Sequence, residues 1–320
     1  MTPRTLPAAL IAARERQLEG VSRKDLRQQA AELSRRYRTV AGGHARADEV
    51  LSYTVTRMPA TYAAVSAALD ELSARMPRFA PESLLDLGSG PGTAAWAAVT
   101  TFATITAVTM VEEEPAFRAL AATLAAEHAV LGNAAVSPVN LETQPKIAGQ
   151  YHLVTAAFML AEISASRLAA VIGGAWTATS DVLVLVEPGT PAGFARLRAA
   201  REQIIASGGH VIAPCPHDLT CPMVGSDWCH FAVRLPRDRE HRQVKGVDAP
   251  FEDEKYAYVV LARQPATPIL GRILRPPRID KVAAVATMCS QGQVVERRVA
   301  SRDRDGYRAA RNWRWGDAIT

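Results

Sequence analysis

Residues 84–98, LLDLGSGPGTAAWAA, decide the fold. An apolar run ends in Asp86 and Leu87, glycines follow at every second position as Gly88, Gly90 and Gly92, and an alanine-rich segment succeeds them. The run predicts a strand and the alanine-rich segment a helix. Glycines between the two let the backbone turn tightly and let a ligand approach the main chain without meeting a side chain, with the helix N-terminus beyond. About twenty residues later ITAVTMVE (105–112) ends a second strand on Glu112, where a carboxylate can accept hydrogen bonds from ribose hydroxyls. Strand, glycine loop, helix, strand and acid in that order predict an adenosine-type ligand, held by Asp86, Gly88, Ser89, Gly90, Gly92 and Glu112. The dinucleotide fingerprint sets its third glycine one position further on, so this spacing suits S-adenosylmethionine better than NAD.

The same alternation continues on either side. PAFRALAATLAAEHAV (115–130), YHLVTAAFML (151–160), a helical stretch near 164–175 and DVLVLVEPG (181–189) are apolar runs and helices in turn. Such a pattern predicts an α/β core, a mainly parallel sheet covered on both faces. Upstream, residues 8–38 read as helical, with Ser22 capping and Asp25 three positions on, and a second helical region runs from about 46 to 75 after Gly42 and Gly43, interrupted near Pro59. Downstream, KVAAVATMCSQGQVVERRVAS (281–301) reads as a β-hairpin turning at SQGQ. The organisation expected is an N-terminal helical region over 1–80, the first part of the core over 81–205, a cysteine-bearing insertion with the last core strands over 206–265, and a small basic β-rich module over 266–320.

The form D-x-G-x-G-x-G at Asp86 resembles motif I of the class I methyltransferases, which implies their Rossmann-like fold and S-adenosylmethionine. Many base-modifying members carry an Asn/Asp-Pro-Pro-aromatic loop after the fourth strand to fix an amine. Here that place reads TAAFMLAEI (155–163), with Glu162 as its polar group, and His152 stands where an acid is common. Either the target is held differently or no methyl is transferred.

Three of the four cysteines fall within APCPHDLTCPMVGSDWCHF (213–231), as Cys215, Cys221 and Cys229, and the fourth is Cys289. Zinc knuckles separate their ligands by two to four residues, so these wider gaps lie outside the common zinc pattern. Two cysteine–proline pairs, Cys215-Pro216 and Cys221-Pro222, favour an iron–sulfur cluster; zinc, ordinary buried thiols and a catalytic Cys215 stay open.

With CPHDLTCPMVGSDWCHFAVRLPR (215–237) stand LVLVEPGTPAGFARLRAAR (183–201), MCSQGQVVERRV (288–299), ARNWRWGD (310–317) and YTVTRMPATYAAV (53–65). Taken in order, these resemble the Rsm22 family, methyltransferase-like proteins of the mitochondrial small ribosomal subunit with bacterial relatives. The resemblance implies a methyltransferase-like domain, a four-iron four-sulfur (4Fe-4S) cluster on Cys215, Cys221, Cys229 and Cys289, and assembly of the small subunit through its ribosomal RNA. An active S-adenosylmethionine-dependent rRNA methyltransferase is the alternative.

Charge points to the same partner. The chain carries +5 overall, and from residue 271 onward eleven lysines and arginines face five acids, an excess larger than that of the whole chain. A basic end suggests a polyanion. Arg234, Arg237, Arg242, Arg297 and Arg298 are the expected phosphate contacts on small-subunit rRNA within a pre-ribosomal small subunit, with Trp313 or Trp315 for stacking. No apolar run reaches about 18 residues, so no membrane partner is expected. Glu15 and Glu19 come early for a transit peptide. A monomer in a bacterial cytoplasm, rather than a mitochondrial matrix, is the expectation.

Overall fold

The structure is a computed structural model and describes residues 4–39 and 49–320. Helices α1 (Ala8–Leu18) and α2 (Arg23–Thr39) replace the single helical stretch expected, because Gly20 takes a left-handed φ of 74° and Ser22 restarts the helix by accepting from the Asp25 amide at 3.3 Å. The glycine pair Gly42 and Gly43 lies outside the described residues. Helices α3 (Val50–Thr56) and α4 (Met58–Arg75) divide at Arg57, with Pro59 in the first turn of α4, where a missing amide costs nothing.

The core is a sheet of β1 (Ser83–Leu87), β2 (Ala107–Val111), β3 (Ala135–Ser137), β4 (Tyr151–Ala157), β5 (Thr179–Pro188), β6 (His210–Ala213), β7 (Phe231–Pro236) and β8 (Phe251–Ala262). Its order is β3-β2-β1-β4-β5-β8-β6, with β7 also on β8. The first five strands are parallel and β8 runs against them. This open, mostly parallel sheet with a reversed strand near one edge is the class I methyltransferase-like, Rossmann-like arrangement.

Both faces are buried, which is why the strands read as unbroken apolar runs. In β5, Val182, Val184 and Val186 face a core shared with α4, α5 (Thr93–Thr101) and α6 (Pro115–Ala125). Leu183 and Leu185 face the other core, under α7 (Ala165–Ala178) and α8 (Pro191–Ala206).

One edge of the sheet is broken. Both β6 and β7 run antiparallel to β8 along the same edge, β6 opposite Val260–Ala262 and β7 opposite Phe251–Tyr256. They are two halves of one strand position, and residues 214–230 loop out of the break carrying Cys215, Cys221 and Cys229. The run RLPRDREHRQVK (234–245) supplies the end of β7 and a short helix α9 (Arg239–Lys245), capped where Asp238 accepts from the His241 amide at 2.8 Å.

The C-terminal module is a second sheet of β9 (Gly271–Ile273), β10 (Arg278–Ile279), β11 (Ala283–Ser290), β12 (Gln293–Ala300) and β13 (Ala318–Ile319), with α10 (Arg304–Ala310) against β12. The expected hairpin is β11–β12. Its two turn residues, Gln291 at φ 47° and Gly292 at φ 76°, are both left-handed, as a two-residue hairpin turn that follows strand twist requires.

Arg272 on β9 joins the parts. Its buried guanidinium donates from Nε to the Pro214 carbonyl (2.8 Å), and from Nη1 to Glu71 of α4 (2.6 Å) and the Gly316 carbonyl (2.7 Å). Arg272→Ala leaves Glu71 and two carbonyls without their donor, and a loss of about 3 kcal/mol is expected in urea unfolding. A loss under about 1 kcal/mol would remove the anchor role.

Candidate functional site

The carboxyl ends of β1 and β2 set the glycine loop beside Glu112, and the open space at Gly90 is the candidate ligand cleft. Gly88, Gly90 and Gly92 all take left-handed φ, at 61°, 53° and 80°. A Cβ on Gly88 would strike Met159 at 2.7 Å, whereas one on Gly90 would meet no atom within 4 Å. Gly90 therefore borders open space where a ligand can reach the main chain. Beside it the buried hydroxyls of Ser89 and Thr93 have no hydrogen-bond partner. Open backbone and orphaned buried donors fit an adenosine-type ligand.

Glu112, at the end of β2, accepts from the Gly90 amide at 2.8 Å and the Glu114 amide at 2.9 Å. Burial raises its carboxyl, those two amides lower it, and Glu162 raises it further. Asp86 points the other way, beneath the loop. Its oxygens accept from Thr155 Oγ1 (2.8 Å) and the Ala95 amide (3.1 Å), tying β1, β4 and the first turn of α5 together. Burial pushes Asp86 up to about 7 against the lowering effect of those two donors. Asp86 supports the loop and Glu112 borders the cleft.

Two groups that the sequence reading passed over stand at the same edge. Burial raises the phenol of Tyr53, from α3, and the carboxylates of Glu162 and Glu112 act on it in the same direction. Glu187 ends β5 wholly buried, accepting from the Leu160 amide at 3.1 Å and from Arg196 Nε at 2.7 Å, and burial pushes it up to about 7 despite Arg196. The clue to Glu187 was an acid at the carboxyl end of a buried parallel strand. Phe158, where an amine clamp would begin, has a left-handed φ of 59°. His152 starts β4, at the edge opposite the glycine loop, and its Nδ1 lies 2.9 Å from Ser83 Oγ. It has no part in the cleft.

The four cysteines meet at the other centre. All four line one cavity of about 40 Å³, with Phe194, Met223 and Leu274 supplying apolar walls and Arg201 and Arg272 among the lining residues. They form no disulfide. Burial raises the thiols of Cys215 and Cys229, and pushes Cys289 up to about 12. Among the described residues no three His, Cys, Asp or Glu side chains are arranged to hold a metal ion. A single tetrahedral zinc, at about 2.3 Å from each thiolate, draws its four sulfurs to within about 4 Å of one another.

The surrounding charge suits an anion. Arg201 Nε and Arg272 Nη2 are buried without partners. The loop around them is held from α8: Arg201 Nη2 donates to the carbonyls of His217 (2.9 Å) and Leu219 (2.7 Å), and Arg198 to that of Met223 (3.2 Å). Beside Cys229, Trp228 stacks on His230 at 5.1 Å, and His230 meets Trp315 edge-on. Trp315 is thus part of the packing.

The five arginines expected on phosphate fall in different settings. Arg234 pairs with Asp253 through two hydrogen bonds of 2.7 and 2.9 Å, and Arg237 pairs with Glu252 at 3.2 Å. Arg242 is exposed on α9. Arg297 and Arg298 are exposed on β12, with Arg297 5.7 Å from the ring centre of Trp313.

Residues 47–320 match the family model described as mitochondrial small ribosomal subunit Rsm22. The human ribosome assembly protein METTL17, mitochondrial, is 31% identical over 292 residues, 84% of this chain and 62% of that protein. The Schizosaccharomyces pombe Rsm22-cox11 tandem protein 2, mitochondrial, is 27% identical over 84% of this chain and 43% of its own length. The chain thus spans about two fifths to three fifths of the length of these relatives. Among solved structures, the Synechocystis PCC 6803 magnesium protoporphyrin IX methyltransferase with bound SAH aligns at 12% identity and a TM-score of 0.43, over 74% of this chain and all of that one.

The buried carboxyl of Asp86 sets a pH dependence. Its folded pKa lies above the ordinary aspartate value of about 3.9, so its contribution to stability is full below pH 4 and is lost as pH rises through 7. Asp86→Asn can keep both hydrogen bonds without the charge. Relative to the variant, the wild type is expected to lose about 2–4 kcal/mol between pH 4 and pH 8 in denaturant unfolding. Parallel curves would contradict the assignment.

Proposed function

Since the chain belongs to the Rsm22 family, we propose that it is an assembly factor of the small ribosomal subunit, binding rRNA through a methyltransferase-like fold that carries a 4Fe-4S cluster. The observation that carries this reading is the convergence of all four thiols, three from the broken edge strand and one from the C-terminal module, on one apolar cavity with two buried guanidinium groups. Cys215, Cys221, Cys229 and Cys289 hold the cluster. When bound, the cluster supplies four metal–thiolate links that tie the module to the core.

The protein's own groups do the rest. Arg201 and Arg272 offset the negative charge of the four thiolates. The thiols of Cys215, Cys229 and Cys289, raised by burial, give up their protons as metal binds, so loading is expected to be tighter at higher pH. In the cleft, Glu112 accepts from ribose hydroxyls, the open backbone at Gly90 receives the ligand, and Asp86 keeps the loop in place.

A second reading, an active S-adenosylmethionine-dependent rRNA methyltransferase, is favoured by one observation: the open cleft at Gly90 with the unpartnered Ser89 and Thr93 hydroxyls. Radiolabel transfer from S-adenosylmethionine to small-subunit rRNA, lost in Gly90→Val, would establish it. Binding of S-adenosylmethionine without transfer would leave the cleft a structural or sensing site.

Anaerobic purification with iron, sulfide and zinc analysis tests the first reading. About four irons and four sulfides per chain are expected, falling below about one of each in Cys221→Ser and in Cys289→Ser. One zinc, or no metal, would overturn the cluster.

A further inference from the structure

From the charge pairing across the surface we infer that the RNA-contacting surface is the free end of the C-terminal module, built by the β10–β11 turn, β12 and the start of α10, and that the β7 arginines take no part. The inference rests on the rRNA-binding reading above and gives it a place.

The distribution of partners carries it. Arg234 and Arg237, on and just past β7, already face Asp253 and Glu252 across β8. Arg275, nearer the core, is bidentate to Asp227. The module's free end is different. Arg278, Lys281, Arg298, Arg302 and Arg304 are exposed, and among the described residues none is ion-paired to a carboxylate.

The chain brings these cations to one place. Arg278 on β10 and Arg298 on β12 lie opposite Val285 of β11 from its two sides, so the register puts them on one face of the sheet. The Lys281–Val282 turn is joined to the end of β12 where the Ser301 amide donates to the Val282 carbonyl at 2.8 Å, which sets Arg302 and Arg304 beside it. Tyr307 of α10 ties the group together by donating to the Asp280 carbonyl.

The acids in the same stretch, Asp280, Asp303 and Asp305, are also exposed, and Arg278 and Arg298 act on Asp280, but two of the three are held by backbone amides. Asp280 accepts from the amides of Val282 (2.8 Å) and Ala283 (3.0 Å), and Asp303 caps α10 by accepting from the Gly306 amide at 3.1 Å. They fix the backbone that presents the cations. Exposed Ile279 and Val282 stand among the charges, apolar surface against which a ribose or base can lie. Five exposed cations spread over a knob, against three acids of which Asp280 and Asp303 are hydrogen-bonded to backbone amides, match the phosphates of a folded RNA.

The knob is at the opposite end of β11 from the thiol cavity. Six residues of strand, about 20 Å, separate Ala283 from Cys289. One end of the module docks on the core, and the other reaches out to RNA.

The test uses the full chain and a fluorescently labelled stem–loop RNA of small-subunit ribosomal sequence, titrated at several salt concentrations. The variants are Arg298→Ala/Arg302→Ala/Arg304→Ala and, as control, the exposed and ion-paired Arg234→Ala/Arg275→Ala, each checked for an unchanged unfolding midpoint. The triple variant is expected to bind roughly tenfold or more weakly, with the slope of log affinity against log salt shallower by about 2–3. The control is expected to bind like the wild type. Equal losses in both variants, or a loss confined to the control, would overturn the placement while leaving rRNA binding intact. Competition by poly-glutamate as effective as that by unlabelled RNA would replace RNA with an acidic protein as the partner. A wild type that binds no RNA would overturn the underlying reading as well.

Discussion

A single buried guanidinium fixes how the parts of this molecule meet. Arg272 belongs to the C-terminal module, yet it donates to Glu71 on the N-terminal helix α4, to Pro214 where the core's edge strand breaks, and to Gly316 near the chain's end. A buried cation is costly without partners, so it is stable only while all three segments stay in place. Arg272 also lines the thiol cavity, and its Nη2 is left without a partner. The same residue therefore sets the position of the module and the electrostatics of the site.

The second constraint is the broken edge strand. Splitting one strand position between β6 and β7 keeps the sheet paired along β8 while freeing a loop to carry three cysteines. The loop has little regular structure of its own. It is held by arginines from α8 donating to its carbonyls and by the ring contacts of His230, stacked on Trp228 and edge-on to Trp315. Neither sheet alone supplies four thiols. A group bound by all four would make the orientation of the basic module depend on its presence, which is a physical way to let one site govern another surface.

Features governed by local chemistry were legible in the sequence. The three glycines of 88–92, the alternation of apolar runs and helices, and the SQGQ turn each state a backbone requirement within a few residues, and the structure has a left-handed residue at each glycine and at the turn. Features governed by distant partners were not. Arg272, Arg201 and Arg198 look like ordinary surface charges in sequence, because nothing local says that a carbonyl will be waiting. Arg234 and Arg237 read as free cations for the same reason: their acids lie 19 and 15 residues away on β8, and only strand pairing brings them opposite. The cysteines were found as a group from their clustering, but the cavity joining Cys289 to the other three exists only once the two sheets are packed.

The most direct test of the shared centre is an anomalous diffraction map at the iron edge, from crystals of the anaerobically purified protein. The account expects a compact group of four iron peaks in the cavity between Cys215, Cys221, Cys229 and Cys289, each iron next to one cysteine sulfur. A lone zinc-edge peak there, or a cavity with no anomalous signal and four free thiols, would contradict it.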